Sequence, residues 1–111
     1  YGANIEIALD KRVRSLKLDM KTRHEVFLLF KHSLQAIVEY AGGRKTLVDI
    51  DLFKNKLSIK LHDATASLDK NTEEIDQLVK EMYSRSAYIG ADLDVQSNEV
   101  GVTIILLIPV R

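Results

Sequence analysis

Residues 46–62 read Thr46-Leu47-Val48-Asp49-Ile50-Asp51-Leu52-Phe53-Lys54-Asn55-Lys56-Leu57-Ser58-Ile59-Lys60-Leu61-His62. Thr46, Val48, Ile50 and Leu52 alternate with Asp49 and Asp51. Leu57, Ile59 and Leu61 then alternate with Ser58, Lys60 and His62. Period-2 alternation puts one set of side chains on a buried face and the other in water. The short polar run Lys54-Asn55-Lys56 between the two is a hairpin turn, so the stretch predicts a pair of antiparallel strands.

Upstream of this hairpin, Gly42-Gly43 closes a segment that begins at Asp19, a side chain suited to capping exposed helix amides. Phe27, Phe30, Leu34, Ile37, Val38 and Ala41 recur at helical spacing, with His24, Lys31, Gln35 and Glu39 on the other side. This predicts a helix buried on the Phe27–Leu34 stripe. Farther upstream, Ile5, Ile7 and Leu9 alternate with Glu6 and Ala8, a short strand with one buried face. Asp10 to Arg14 form a solvated connector, followed by Leu16 and Leu18.

Downstream of the hairpin, residues 63–72 form a polar loop. Asn71 and Glu74 make a capping pair for a second helix carrying Ile75, Leu78, Val79, Met82 and Ile89, closed by Gly90. Leu93 and Val95 begin another strand, and Ser97-Asn98-Glu99 turns the chain. Residues 102–108 are almost wholly apolar, as in a strand covered on both faces or lying between neighbours, and Pro109 stops it. The order of elements predicts an α+β two-layer sandwich. Its sheet is mixed and mostly antiparallel, of about five strands, with two main helices on one face.

The bulk composition is that of a globular domain, 46% hydrophobic and 29% charged over 111 residues, and residues 1–111 read as a single domain. Sixteen basic side chains balance sixteen acidic ones, so nothing favours nucleic acid or an anionic membrane as partner. With no Cys, disulfides and Cys-based zinc sites are excluded. No apolar run approaches the roughly 20 residues that span a bilayer. The first residue is Tyr1, and the chain reads as a piece of a longer signalling protein.

Four blocks, in order, resemble the GHKL (Bergerat-type) ATP-binding domain of bacterial sensor histidine kinases. The first is Phe30-Lys31-His32-Ser33-Leu34-Gln35-Ala36-Ile37-Val38-Glu39-Tyr40, where that family carries Phe-Lys-Glu-Ala-Leu-x-Asn-x-x-Lys-His. The second is Leu61-His62-Asp63-Ala64-Thr65-Ala66-Ser67, against Ile-x-Asp-Asn-Gly-x-Gly. The third runs Leu78-Val79-Lys80-Glu81-Met82-Tyr83-Ser84-Arg85-Ser86-Ala87-Tyr88-Ile89-Gly90-Ala91, against Gly-Leu-x-Asn-Met-x-x-Arg-Ala-x-x-Ile-Gly-Gly. The fourth, Val102-Thr103-Ile104-Ile105-Leu106-Leu107-Ile108-Pro109, matches a last strand that opens on Gly-Thr and ends on Ile-Pro.

The resemblance implies Asp63 as the residue that accepts a hydrogen bond from the adenine amino group, with Thr103 beside it. It also implies a damaged phosphate end. His32 replaces the glutamate that activates water, and Ala36 replaces the asparagine that binds Mg²⁺. A methyl group offers that ion no oxygen. Glu39 and Tyr40 replace the Lys-His pair. Thr65, Ser67 and Leu78 stand where glycines let backbone approach phosphate. No residue is assigned to catalysis, no cofactor is expected, and no metal site is assigned.

Blander readings compete. Asp63 can serve as a turn cap and Thr103 as an ordinary strand residue. His24-Glu25 resembles a phosphoacceptor pair, but Val26-Phe27-Leu28 follows in place of that motif's proline, and a solvated helix face is preferred. His32 as a substitute base would have nothing to act on, so it reads as a polar residue facing a vacated cleft. His24, His32 and His62 lack metal-ligand spacing. Tyr83 and Tyr88 are read as half-packed rims.

These features predict a pseudokinase-like module of a two-component system, deficient in Mg-ATP and acting through interaction or conformation. Its expected partner is a neighbouring dimerisation and phosphoacceptor domain or another signalling protein. Its expected location is cytoplasmic, including the cytoplasmic part of a membrane-anchored sensor, without insertion of its own. The alternatives are an active catalytic domain that binds Mg-ATP and phosphorylates a neighbouring His, or a sigma/anti-sigma-type binding module.

Overall fold

A computed structural model describes residues 4–67 and 73–110. The strands are β1 (Asn4–Leu9), β2 (Lys45–Phe53), β3 (Lys56–Asp63), β4 (Asp92–Asn98) and β5 (Gly101–Pro109). The helices are α1 (Met20–Leu34), which continues as a wider π-helical stretch over Gln35–Tyr40, and α2 (Glu73–Tyr88). A short 3-10 turn spans Lys11–Ser15. The strands form one sheet in the order β1-β2-β3-β5-β4. Only β1 and β2 run parallel; the other pairs are antiparallel. The predicted mixed sheet with helices on one face is the fold observed.

The hairpin registers as its alternation requires: Val48 faces Leu61 and Ile50 faces Ile59. Its two-residue turn holds Lys54 at a φ of 56°. β5 lies between β3 and β4, and its Val102, Ile104, Leu106 and Ile108 are wholly buried. Ile75, Leu78 and Met82 of α2 pack onto the same face. The predicted Asn71 cap lies outside the described residues.

The helix stripe predicted from sequence holds at Ile37 and Ala41, which are buried, but its N-terminal part is rotated in the structure. Leu29, Ala36 and Ile37 of α1 and its π-helical extension are buried, together with the polar Glu25 and Ser33. Phe27 is 62% exposed, and Phe30, Leu34 and Val38 are half-buried. The rotation is possible because both polar groups are satisfied. Ser33 Oγ donates to the Leu29 carbonyl at 2.7 Å, and Glu25 accepts from Arg85 of α2 at 3.1 Å. Hence His24-Glu25 is not a solvated pair: His24 is exposed, while Glu25 ties α1 to α2. Lys21, 3.8 Å over the Tyr88 ring, joins the same two helices. In the π-helical stretch the Ala41 amide donates five residues back to Ala36, which turns both Ala36 and Ile37 inward. Gly42, at φ 72°, then ends the helix.

β1 also departs from expectation. It has no buried face: all six residues are exposed, Ile7 by 56%. Its register carries Ile5, Ile7 and Leu9 alongside Thr46, Val48 and Ile50, on the helix side of the sheet. The helices do not extend over this edge.

Asp10 and Asp19 anchor the segment between β1 and α1. Asp10 accepts from the side chain and amide of Arg12, and Asp19 caps α1 through Thr22. Hydrogen bonds from Arg12 hold the Asp10 carboxyl well below its ordinary range, and those from Thr22 lower Asp19. A carboxyl depressed by folding stabilises the native state above its unfolded pKa, and that contribution is lost as pH falls through the folded value. Thermal melts between about pH 5 and pH 2 should therefore fall steadily. Asp19→Asn, which retains a capping oxygen, should flatten part of the slope; an unchanged slope would mean that Asp19 is not bound to Thr22.

Candidate functional site

Asp63 closes β3 and is wholly buried. Its two oxygens are both occupied. Oδ2 accepts from the Lys45 amide at 3.0 Å and the Thr46 hydroxyl at 2.9 Å. Oδ1 accepts from the Thr65 amide at 2.8 Å and from the Thr65 hydroxyl. The Thr65 hydroxyl in turn accepts from the Arg44 amide at 2.8 Å. The loop after β3 is also tied to the end of the first helix, where the Ser67 amide donates to the Ala41 carbonyl at 2.9 Å. Gly43 passes so close that a Cβ there would lie 2.5 Å from Asp63 Oδ2. Gly43 is thus needed for more than ending a helix.

Thr103 is not part of this cluster. Asp63 pairs across the sheet with Val102, whereas Thr103 pairs with His62. Since strand side chains alternate between faces, Asp63 and Val102 face the helices while Thr103 faces away. Its hydroxyl and His62 Nδ1 share a hydrogen bond of 2.8 Å.

The remaining positions singled out from sequence fall into three places. Ala36 is buried in the core, and Tyr40 is half-buried against it. His32 and Glu39 line a cleft of about 400 Å³ between α1 and β1, together with Ile5, Phe27, Phe30 and Leu34. His32 Nδ1 is buried there without a hydrogen-bond partner among the described residues. Asp63 does not line this cleft. Leu78 sits inside α2, which begins at Glu73, and it is buried against the sheet. Beyond the first turn of a helix the amides are already bonded within it, so none is free there for an anion.

Sequence reasoning missed Thr46, Lys45 and Gly43 as members of the Asp63 cluster. Thr46 was legible only as one more inward position of a strand. The available signal was that it is the one hydroxyl on a face otherwise made of Val48, Ile50 and Leu52. Among the described residues, no three His, Asp or Glu side chains converge on a metal-sized site.

No family model matches the chain, and no curated protein matches it. Solved structures do. A blue-light activated histidine kinase, EL346 of Erythrobacter litoralis, superposes with a TM-score of 0.76 at 14% identity, covering 99% of this chain and 36% of that one. A structure of the histidine kinase domain of that protein gives a TM-score of 0.72 at 14% identity, covering 98% and 52%. The catalytic domain of the histidine kinase ThkA, in a nucleotide-free form, gives 0.70 at 15% identity, covering 97% and 78%. The chain thus spans about a third of the first and half of the second. The sheet order, the two helices on one face and these superpositions agree: the chain has the GHKL-type fold of histidine kinase catalytic domains.

Proposed function

We propose that this domain is a histidine-kinase-like signalling module that does not hold Mg-ATP and acts by contact or conformation on a neighbouring domain. The observation that carries the reading is the closed Asp63 cluster. Lys45 and Thr46 occupy one carboxylate oxygen, and the Thr65 amide and hydroxyl occupy the other, which leaves an adenine amino group no unoccupied acceptor. A glycine in place of Thr65 would leave that oxygen without the second donor.

The residues around the phosphate end fit Mg-ATP poorly on chemical grounds. Ala36 offers no oxygen ligand and is itself packed in the core. Glu39 is an exposed anion on the side where a triphosphate would need cations. Leu78 lies within a helix where a glycine-rich loop would have to supply free amides. A neighbouring dimerisation and phosphoacceptor domain remains the partner that best fits the fold, and a cytoplasmic setting accompanies that reading. Among the described residues no helix is long and apolar enough to cross a membrane.

Calorimetric titration with ATP, with and without Mg²⁺, tests the reading. Binding weaker than about 1 mM, or less than about 4 kcal/mol, is expected for ATP, ADP and adenosine alike. Ala36→Asn alone should not restore it, because the remaining defects act together. Saturable, Mg-dependent ATP binding in the micromolar range would favour the active catalytic domain instead.

A further inference from the structure

β1 ends the sheet, and its outer side is a row of backbone groups that β2 does not use. In the parallel ladder the Asn4 amide donates to the Arg44 carbonyl and the Asp10 amide to the Ile50 carbonyl, both at 2.9 Å. The even-numbered residues therefore turn their N–H and C=O groups toward β2. Those of Ile5, Ile7 and Leu9 point outward. The 3-10 turn that follows does not cover them. It leans over β2, where Arg12 reaches Asp51 at 3.5 Å and Val13 and Leu16 join the core.

The two edges of the sheet are unlike. β4 carries Asp92 and Asp94 and ends on Gln96, Ser97 and Asn98, the polar composition that protects an edge from pairing. β1 reads Asn-Ile-Glu-Ile-Ala-Leu, with one charge, no Lys and no Pro. Its Ile5, Ile7 and Leu9 are 38%, 56% and 42% exposed on the helix side, next to Phe27 at 62%.

We propose that the free edge of β1 is a self-association site, on which β1 of a second copy pairs antiparallel about a two-fold axis through Ile7. The register follows from the residues. Outward-facing groups must meet outward-facing groups, so odd residues pair with odd, and the register that pairs all three apolar residues sets Ile7 against Ile7 and Ile5 against Leu9 of the second copy. The remaining positions then oppose Glu6 to Ala8, and the one charge of the strand meets a methyl group rather than its like. No other strand sequence needs to be invoked for the edge to be complementary; it is complementary to itself, as a two-fold interface requires. The apolar row of each copy continues across the axis. Leu9 of the second copy comes to lie beside Ile5, at the mouth of the cleft lined by Phe27 and Phe30. This pairing is independent of the nucleotide reading above.

Sedimentation of the 111-residue chain over a wide concentration range tests it. The wild-type chain should pass from monomer to dimer. Ile7→Lys sets two ammonium groups against each other on the axis and should weaken the dimer by about tenfold or more. Circular dichroism should report that variant as folded, because Ile7 is an exposed edge residue. Amide exchange followed by NMR reads the register directly. On raising the concentration, the amides of Ile5, Ile7 and Leu9 should slow, while those of Glu6 and Ala8, already bonded to β2, should not. A chain that stays monomeric overturns the proposal and leaves the edge to a strand from another protein. A dimer indifferent to Ile7→Lys, or one whose protected amides lie elsewhere, overturns it as well.

Discussion

Asp63→Ala should destabilise the domain by about 3–5 kcal/mol, because it strands the buried Thr46 hydroxyl and, at once, the part-buried donors of Lys45 and Thr65. The carboxylate is wholly buried and accepts from the Lys45 amide, the Thr46 hydroxyl, and the amide and hydroxyl of Thr65. Each buried donor left without a partner costs about 1–3 kcal/mol, and relaxation of the loop recovers part of the sum. Thr46 is as deeply buried as Asp63 and has little freedom to find another acceptor. Asp63→Asn should fall between wild type and Ala. It keeps one oxygen as an acceptor but turns an NH₂ group toward donors. Urea unfolding of the three proteins measures this. A loss under about 1 kcal/mol for Asp63→Ala would show that the four bonds do not form together and that the carboxylate is not closed off.

The same cluster marks the limit of what the sequence reveals. The hairpin and the second helix were legible because hydrophobic periodicity decides them, and the last strand because its apolar run is unbroken. The buried Val48, Ile59 and Met82 are among the residues that the alternation and helical spacing pick out. Asp63 was legible as a position only through its motif. Its hydrogen-bond partners were not, since Lys45 and Thr46 are distant in sequence and become neighbours only when β2 pairs with β3. The face of Thr103 is likewise a matter of register: a shift of one residue decides whether it joins Asp63 or His62, and apolar residues on both sides of it leave the choice open. β1 was misread for a related reason. Alternation says that one side of a strand is apolar, but it does not say whether anything covers that side.

The first helix shows the complementary failure, and mutation of its two candidate faces has an unequal expected outcome. Leu29→Ala should cost about 2–5 kcal/mol, whereas Phe27→Ala should cost under about 1 kcal/mol despite removing the larger side chain. Leu29 is wholly buried in the core, while Phe27 is 62% exposed. Counting apolar residues along the helix favours the Phe27–Leu34 side, because it treats Glu25 and Ser33 as markers of solvent. Both are buried, one paired with Arg85 and the other bonded to the Leu29 carbonyl. Once these two polar groups are satisfied, burying their side of the helix incurs no penalty for unpaired atoms, and Leu29 and Ala36 follow inward with them, beside the Ile37 that the spacing does pick out. The Phe27, Phe30 and Leu34 side is left to line the cleft beside β1. Chemical denaturation of the two variants separates the faces. Equal losses, or a larger loss at Phe27, would mean that the helix is packed on its aromatic side and that Glu25 is not the inward anchor to Arg85.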